Sequence, residues 1–160
     1  MNGRKKKLTA AREECALHAR ILRQGRAEAR DSMPFTPGRI DGLSDETRRL
    51  LDQLAYRFGK LQDSMGERVL PLLLEIAGEP LPEQATFVEK LRRLERLRAV
   101  PSADTWKELR ELRNEIAHEY PDRPAIRAAR LNRFIAGIDE LLACWQSADD
   151  FAGRMEVGLK

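Results

Sequence analysis

Apolar residues in this chain recur at intervals of three and four over long stretches, and Pro and Gly clusters separate those stretches. Such spacing lines one face of an α-helix, whereas no stretch shows the strict alternation typical of a half-buried β-strand. Of the 160 residues, 34% are charged and only 6% are aromatic, which suits helices with charged outer faces. The pattern predicts an all-α protein.

Capping and breaking signals predict five helices. They cover about residues 8–30, 44–77, 86–99, 101–120 and 122–148. Ser44 and Thr86 are the expected N-caps of the second and third helices. Pro71 is expected to kink the second helix because it lacks an N–H, and Gly78 is expected to close it. The last four helices predict an antiparallel four-helix bundle, and the first is an additional N-terminal helix.

Charge divides the chain into two parts. Residues 1–40 hold ten Lys or Arg against four Asp or Glu, while residues 41–160 hold nineteen against twenty-two. Because Pro and Gly also cluster between residues 34 and 42, we predict a basic helical arm with its linker at 1–40 and a bundle domain at 41–160. A basic arm is ordinarily a solvated terminus, although its charge would also attract RNA.

Other classes of protein find little support in the sequence. No apolar run approaches the ~20 residues of a membrane span, and no signal-peptide core follows the basic start. We therefore expect a soluble, cytoplasmic protein with no membrane partner. Cys15 and Cys144 are isolated, so neither a disulfide nor a metal site is predicted, and both thiols are expected in the core. No cofactor is expected.

Candidate chemistry lies in the predicted fourth helix. Trp106, Leu109 and Leu112 share one face there, which should be buried. His118 falls about 240° from Leu112 at ~100° per residue, so it should point away from the core, on the side of Asn114. Such a histidine is ordinarily solvated near a helix C-terminus, where a cation is favoured. The spacing alone therefore leaves its role open.

The string Arg113, Asn114, His118 and Tyr120 resembles the signature of the HepT branch of the HEPN superfamily. In that signature an Arg is followed directly by Asn, then by a His four residues further on, and a Tyr stands two places after the His. The stretch 56–63 is similar to the long second helix of proteins paired with minimal nucleotidyltransferases. The resemblance covers roughly residues 44–148 and leaves out the arm at 1–40.

This resemblance implies a HEPN-like bundle that acts as a metal-independent endoribonuclease, the toxin of a toxin-antitoxin pair. Arg113 would hold the phosphate of an RNA, with tRNA and mRNA as candidate substrates, and His118 would transfer protons. Tyr120, otherwise a half-buried aromatic, would be where a partner nucleotidyltransferase, the antitoxin, attaches AMP and silences the nuclease. Asn114 and Asp63 are supporting candidates, the first for orienting the imidazole or the substrate.

Helical geometry also bears on assembly. Arg113 and His118 lie about 140° apart on a helix, which is poor geometry for one compact site. Two copies about a two-fold axis would bring two Arg and two His into one cleft, so a homodimer is predicted, with further assembly left open. Two other functions remain open: a non-catalytic substrate-binding partner of a minimal nucleotidyltransferase, and a helical interaction protein with Arg113 and His118 on its surface.

Overall fold

The computed structural model describes residues 2–78, 81–116 and 123–158, and this part of the chain contains helices and no strand. The prediction of an all-α protein is confirmed. The helices are α1 (Asn2–Glu28), α2 (Pro37–Ile40), α3 (Asp45–Ser64), α4 (Leu70–Ile76), α5 (Phe87–Arg96), α6 (Ala103–Ile116) and α7 (Pro124–Gly158). A 3₁₀ turn, Ala29–Ser32, follows α1, and a π-helical turn, Met65–Val69, joins α3 to α4.

Both predicted N-caps are present. The Ser44 hydroxyl accepts a hydrogen bond from the Thr47 N–H at 3.1 Å, and the Thr86 hydroxyl accepts one from the Glu89 N–H at 3.1 Å. Each bond satisfies a backbone donor that the first turn of a helix leaves free. Gly78 follows α4 with a φ of 72°, as the sequence predicted for a closing glycine.

The first helix begins at Asn2, before the predicted start at Leu8, and the predicted linker contains the short helix α2. Two predicted helix ends were also wrong. The third predicted helix, α5 in the structure, ends at Arg96 instead of Ala99. Arg98 takes a left-handed φ of 66°, and a right-handed helix cannot continue through that conformation. The last helix runs ten residues beyond the predicted end at Ala148, to Gly158. Packing explains the extension, since Phe151 and the residue after it are buried in the core.

The expected disturbance at Pro71 takes the form of a π-helical turn. The Leu70 N–H donates to the Met65 carbonyl, one residue further back than in an α-helix. This widened turn places Pro71 in the first turn of α4, where a missing N–H carries no cost. The turn also carries Gly66 and Glu67 into the candidate site described below.

The N-terminal helix packs on α3 and α7 and supplies part of the core. Its inward side chains are no more than 2% exposed: Leu8, Ala11, Cys15, Ala19 and Leu22. Arg12 donates to both Asp149 and Glu156 at 2.9 Å, and Arg26 pairs with Asp139 further along. The later residue on α1, Arg26, pairs with an earlier residue on α7 than Arg12 does, so the two helices are antiparallel. The helix that the sequence placed in the arm is thus tied closely to the rest of the chain.

The two cysteines are buried and free, as the sequence predicted. Burial raises the pKa of each thiol to about 12, because a thiolate in the core would lack solvation. Among the helices in the described part of the chain, none is long and apolar enough to cross a membrane.

Candidate functional site

A cleft of about 250 Å³ lies where α3 and the π-helical turn face α6. We call it the α3/α6 cleft. Its walls are formed by Gln62, Asp63, Gly66, Glu67, Phe87, Trp106, Arg110, Arg113 and Asn114. The cleft therefore brings together three residues that the sequence nominated: Asp63, Arg113 and Asn114.

Two glycines on one face of the α3 segment allow α6 to approach closely. Gly59 and Gly66 are seven residues apart, two turns of helix. A Cβ at Gly59 would lie 2.7 Å from the Arg113 Nε, and one at Gly66 would lie 3.3 Å from the Trp106 ring. Since Trp106 and Arg113 are also seven residues apart, in the opposite order, α3 and α6 run antiparallel here. The Gly59 backbone is thus the surface on which Arg113 rests.

Arg113 is held in place by an ion pair with Asp63. One terminal guanidinium nitrogen donates to the Asp63 Oδ2 at 3.4 Å, and the Arg113 side chain is 35% exposed. Its Nε is buried and has no hydrogen-bond partner among the described residues. The guanidinium therefore keeps N–H donors that no described residue uses. Its position is fixed by contacts with Asp63 and Gly59 of α3.

A glutamine without partners stands beside Arg113. Gln62 is only 3% exposed, and within the described chain neither its amide nitrogen nor its amide oxygen is hydrogen-bonded. The Trp106 Nε1 is likewise buried without a partner in that part of the chain. Buried polar groups are nearly always hydrogen-bonded in folded proteins, so this concentration of unmet donors and acceptors marks the cleft wall as unusual.

Charges on the cleft walls balance. Arg110 and Arg113 are offset by Asp63 and Glu67. The Arg110 guanidinium lies over the Phe87 ring, 5.1 Å from its centroid, in cation–π geometry. Because the cleft as a whole carries no excess positive charge, attraction for an anion there has to come from the local donors of the two arginines.

The site residues predicted from the sequence fall into two groups. Arg113 and Asp63 are in contact, and Asn114 is exposed at the mouth of the cleft. His118 and Tyr120 lie outside the described residues, so their predicted roles stay predictions. Cleft residues that the sequence did not nominate are Gln62, Gly66, Glu67, Phe87, Trp106 and Arg110.

Gln62 could have been predicted as a cleft residue from its spacing in the sequence. Phe58, Gln62 and Met65 are separated by four and three residues, which places the glutamine on the same buried face as two large apolar side chains. A Gln on such a face needs a partner. The two glycines gave no such signal, because only the packing of α6 shows why they are small.

A second polar cluster lies between α1 and α3, around His18. The ring is 7% exposed, and Arg57 Nη1 donates to its Nδ1 at 2.9 Å. Since a guanidinium has only donors, Nδ1 accepts and the neutral ring carries its proton on Nε2, which faces Glu14 Oε1 at 3.6 Å. Glu14 in turn pairs with Arg68.

Burial is the main reason that the pKa of His18 lies below its ordinary value. The Glu14 carboxylate opposes this shift, and the positive charges of Arg57 and Lys60 add to it. The pKa of Glu14 is itself lowered, chiefly by its hydrogen bond with Arg68. His18 is therefore a neutral, structural histidine at neutral pH.

A pH dependence of stability follows from this histidine. Its folded pKa lies below the unfolded value of ~6.5, so the unfolded chain binds more protons as the pH falls through that value. We expect the free energy of unfolding to fall between pH 7.5 and 5.5, by at most ~1.4 kcal/mol per pH unit from this one group. Urea unfolding at several pH values measures the slope. In His18→Gln the slope should flatten, and an unchanged slope would exclude His18 as its source.

No group of three or more metal-ligating side chains occurs among the described residues. Comparison of the chain with protein-family models, with curated proteins and with solved structures gives no match in any of the three. The resemblance to HepT proteins therefore rests on the motif residues themselves, and the geometry of the cleft is an independent observation beside it.

Proposed function

We propose that this chain is a HepT-type toxin: a metal-independent endoribonuclease that cuts RNA with Arg113 and His118. The observation that carries the proposal is the setting of Arg113. Its guanidinium rests on Gly59, is paired with Asp63 and lines a cleft with Asn114, which supports a role as a phosphate-binding fork. Preorganised donors of this kind stabilise charge that develops during a reaction.

In the proposed reaction the histidine moves protons and the arginine holds the phosphate. His118 takes the proton of a ribose 2′-hydroxyl, and the 2′-oxygen attacks the neighbouring phosphorus. The new O2′–P bond forms as the P–O5′ bond breaks, and a protonated imidazole returns a proton to the leaving 5′-oxygen. Arg113 stabilises the negative charge on the non-bridging oxygens. The products are a 2′,3′-cyclic phosphate and a 5′-hydroxyl.

A homodimer is part of this proposal. Arg113 faces α3 in its own subunit. The sequence alone predicts His118 about 140° away from Arg113 around a helix, too far for one compact site. A two-fold axis beside α6 would supply two histidines to one cleft, one as base and one as acid. Asn114, exposed at the mouth of the cleft, would then orient a partner imidazole or the RNA.

Regulation by a minimal nucleotidyltransferase completes the proposal. AMP attached to Tyr120 would place a bulky anionic phosphodiester close in sequence to the arginine that binds RNA phosphate. Charge and volume would both block substrate. Intact mass of the protein, produced with and without a candidate antitoxin, tests for the added nucleotide.

The decisive experiment is cleavage of mixed tRNA and mRNA in EDTA by the wild type and by His118→Ala, on protein whose mass shows no modification. We expect the wild type to cut, and the variant to be slower by about 10²–10⁴-fold because it lacks the proton-transfer group. The chain's other histidine gives a matched control, since His18→Gln should still cut at pH 7.5.

Two results would overturn the proposal. Cleavage that EDTA abolishes would make the reaction metal-dependent. No cleavage by unmodified wild type would favour instead a non-catalytic partner of a nucleotidyltransferase, a class that the unpartnered polar groups of the cleft would also suit.

A further inference from the structure

The α3/α6 cleft contains more unmet hydrogen-bonding capacity than phosphate binding uses. Four buried atoms on its lining residues lack partners within the described chain: both amide atoms of Gln62, the Trp106 Nε1 and the Arg113 Nε. They come from two helices that meet at this cleft. A folded protein that leaves so many polar atoms unmet at one place gives up stability, and ligand binding is a common reason for doing so.

The chemistry of these atoms restricts what could satisfy them. Trp106 and Arg113 offer N–H donors, which a phosphate oxygen could meet. The Gln62 amide offers a donor and an acceptor side by side, and a phosphate diester has no hydrogen to give its oxygen. An apolar ligand would satisfy none of the three residues. The matching ligand therefore carries an acceptor next to an N–H donor on one edge.

A nucleobase has such an edge. Adenine presents N6–H next to N7, and a glutamine amide pairs with that edge through two hydrogen bonds, whereas guanine presents two acceptors there, O6 and N7. The size also fits, because a cleft of about 250 Å³ lies just below the ~300–1,000 Å³ typical of drug-sized ligands, which suits one base. Phe87 and the Arg110 guanidinium over it are planar groups of the kind on which bases stack.

We propose that the α3/α6 cleft binds the adenine base of a nucleotide, with Gln62 as the residue that determines specificity. The inference rests on the proposed function in one respect: the base is that of an RNA nucleotide whose phosphate Arg113 holds. In the free protein the Gln62 amide is shielded from water, so binding includes a rotation of this side chain that turns the amide into the cleft.

The fluorescence of Trp106 provides a direct assay. Trp145 on α7 is 2% exposed and does not line the cleft, so Trp145→Phe removes the second indole and leaves Trp106 as the reporter. Titration with AMP, GMP, CMP and UMP should change Trp106 emission at the lowest concentration for AMP. Inosine monophosphate has the size of AMP but replaces the amino group with a carbonyl. On the edge that includes N7 it presents two acceptors, of which one amide can meet only one, so it should bind about 5- to 150-fold more weakly, as expected for loss of a bidentate base contact.

Gln62→Met provides the matched protein variant, since methionine has a similar volume and no amide. It should weaken AMP binding by about the same 5- to 150-fold factor, abolish discrimination against inosine monophosphate and raise the melting temperature, because an unpartnered buried amide is removed. A glutamine that was only structural would give the higher melting temperature with nucleotide binding unchanged. If the variant does not fold, the comparison of AMP with inosine monophosphate on the wild type still decides.

The outcomes separate this inference from the ribonuclease proposal. No response to any of the four nucleotides, or equal affinity for AMP and inosine monophosphate, overturns the inference while RNA cleavage in EDTA can still stand. AMP binding that depends on Gln62, without RNA cleavage, supports the nucleobase site and overturns the ribonuclease. Cleavage that occurs preferentially next to adenine and loses that preference in Gln62→Met supports both.

Discussion

Arg113→Gln is expected to lower the rate of RNA cleavage by about 10²–10³-fold, the effect typical of removing one preorganised stabiliser of developing charge. The folded structure should change little, because the arginine is 35% exposed and its ion pair with Asp63 lies near the surface. Single-turnover cleavage rates, with helicity and melting temperature measured alongside, test this. Arg127→Gln is the matched control, since Arg127 is similarly exposed, at 28%, pairs with Asp41 and does not line the cleft.

If both variants slow cleavage equally, the loss of a surface positive charge is what matters and Arg113 has no special role. Gly59→Ala examines the position of the guanidinium without changing its charge. The new Cβ would lie 2.7 Å from the Arg113 Nε and would push the side chain away. Because alanine is the better helix former by ~1 kcal/mol, the variant should remain folded and yet lose cleavage. Gly3→Ala, whose Cβ would meet nothing within 4 Å, controls for the substitution itself.

Leu22→Ala should destabilise the protein by about 2–5 kcal/mol, the usual cost of a cavity at a buried leucine. Leu22 is fully buried on α1, the helix that the sequence assigned to a basic arm. Leu17→Ala is the matched control on the same helix, since Leu17 is 43% exposed and should cost no more than ~0.5 kcal/mol. Urea unfolding of the three proteins measures the difference.

A small, equal effect of both leucine substitutions would contradict the packing of α1 on α3 and α7.

The packing of α1 also bears on how the chain can be shortened. A chain that begins at residue 41 would expose the apolar surfaces of α3 and α7 that α1 covers, so we expect it to aggregate.

Local signals in the sequence were sufficient for the long helices and several of their ends, although not for the short helix α2. Ser44, Thr86 and Gly78 act through groups a few residues away, so a cap or a closing glycine can be identified without knowledge of the fold. The left-handed Arg98 was not foreseen, because a non-glycine residue takes that conformation only when its surroundings impose it.

Only some residues of the candidate site could be predicted from the sequence. Arg113 and Asn114 were nominated by the motif, and Asp63 was nominated as a supporting residue before its contact with Arg113 was known. Gln62 was not nominated, although its spacing from Phe58 places it on the buried face of α3. Which polar atoms lack partners depends on what packs against them, and that is a property of the assembled helices.

By itself, the sequence determined the helical class, because apolar periodicity and capping act within one element at a time. It also gave Arg113 and His118 as candidates for phosphate and proton chemistry, which stay predictions. Only the tertiary structure decided that α1 helps to form the core, that α7 continues to Gly158, and that Gly59 and Gly66 form the surface against which Arg113 and Trp106 pack. These features depend on contacts between residues far apart in the chain, and the periodicity of a single helix carries no information about its neighbours.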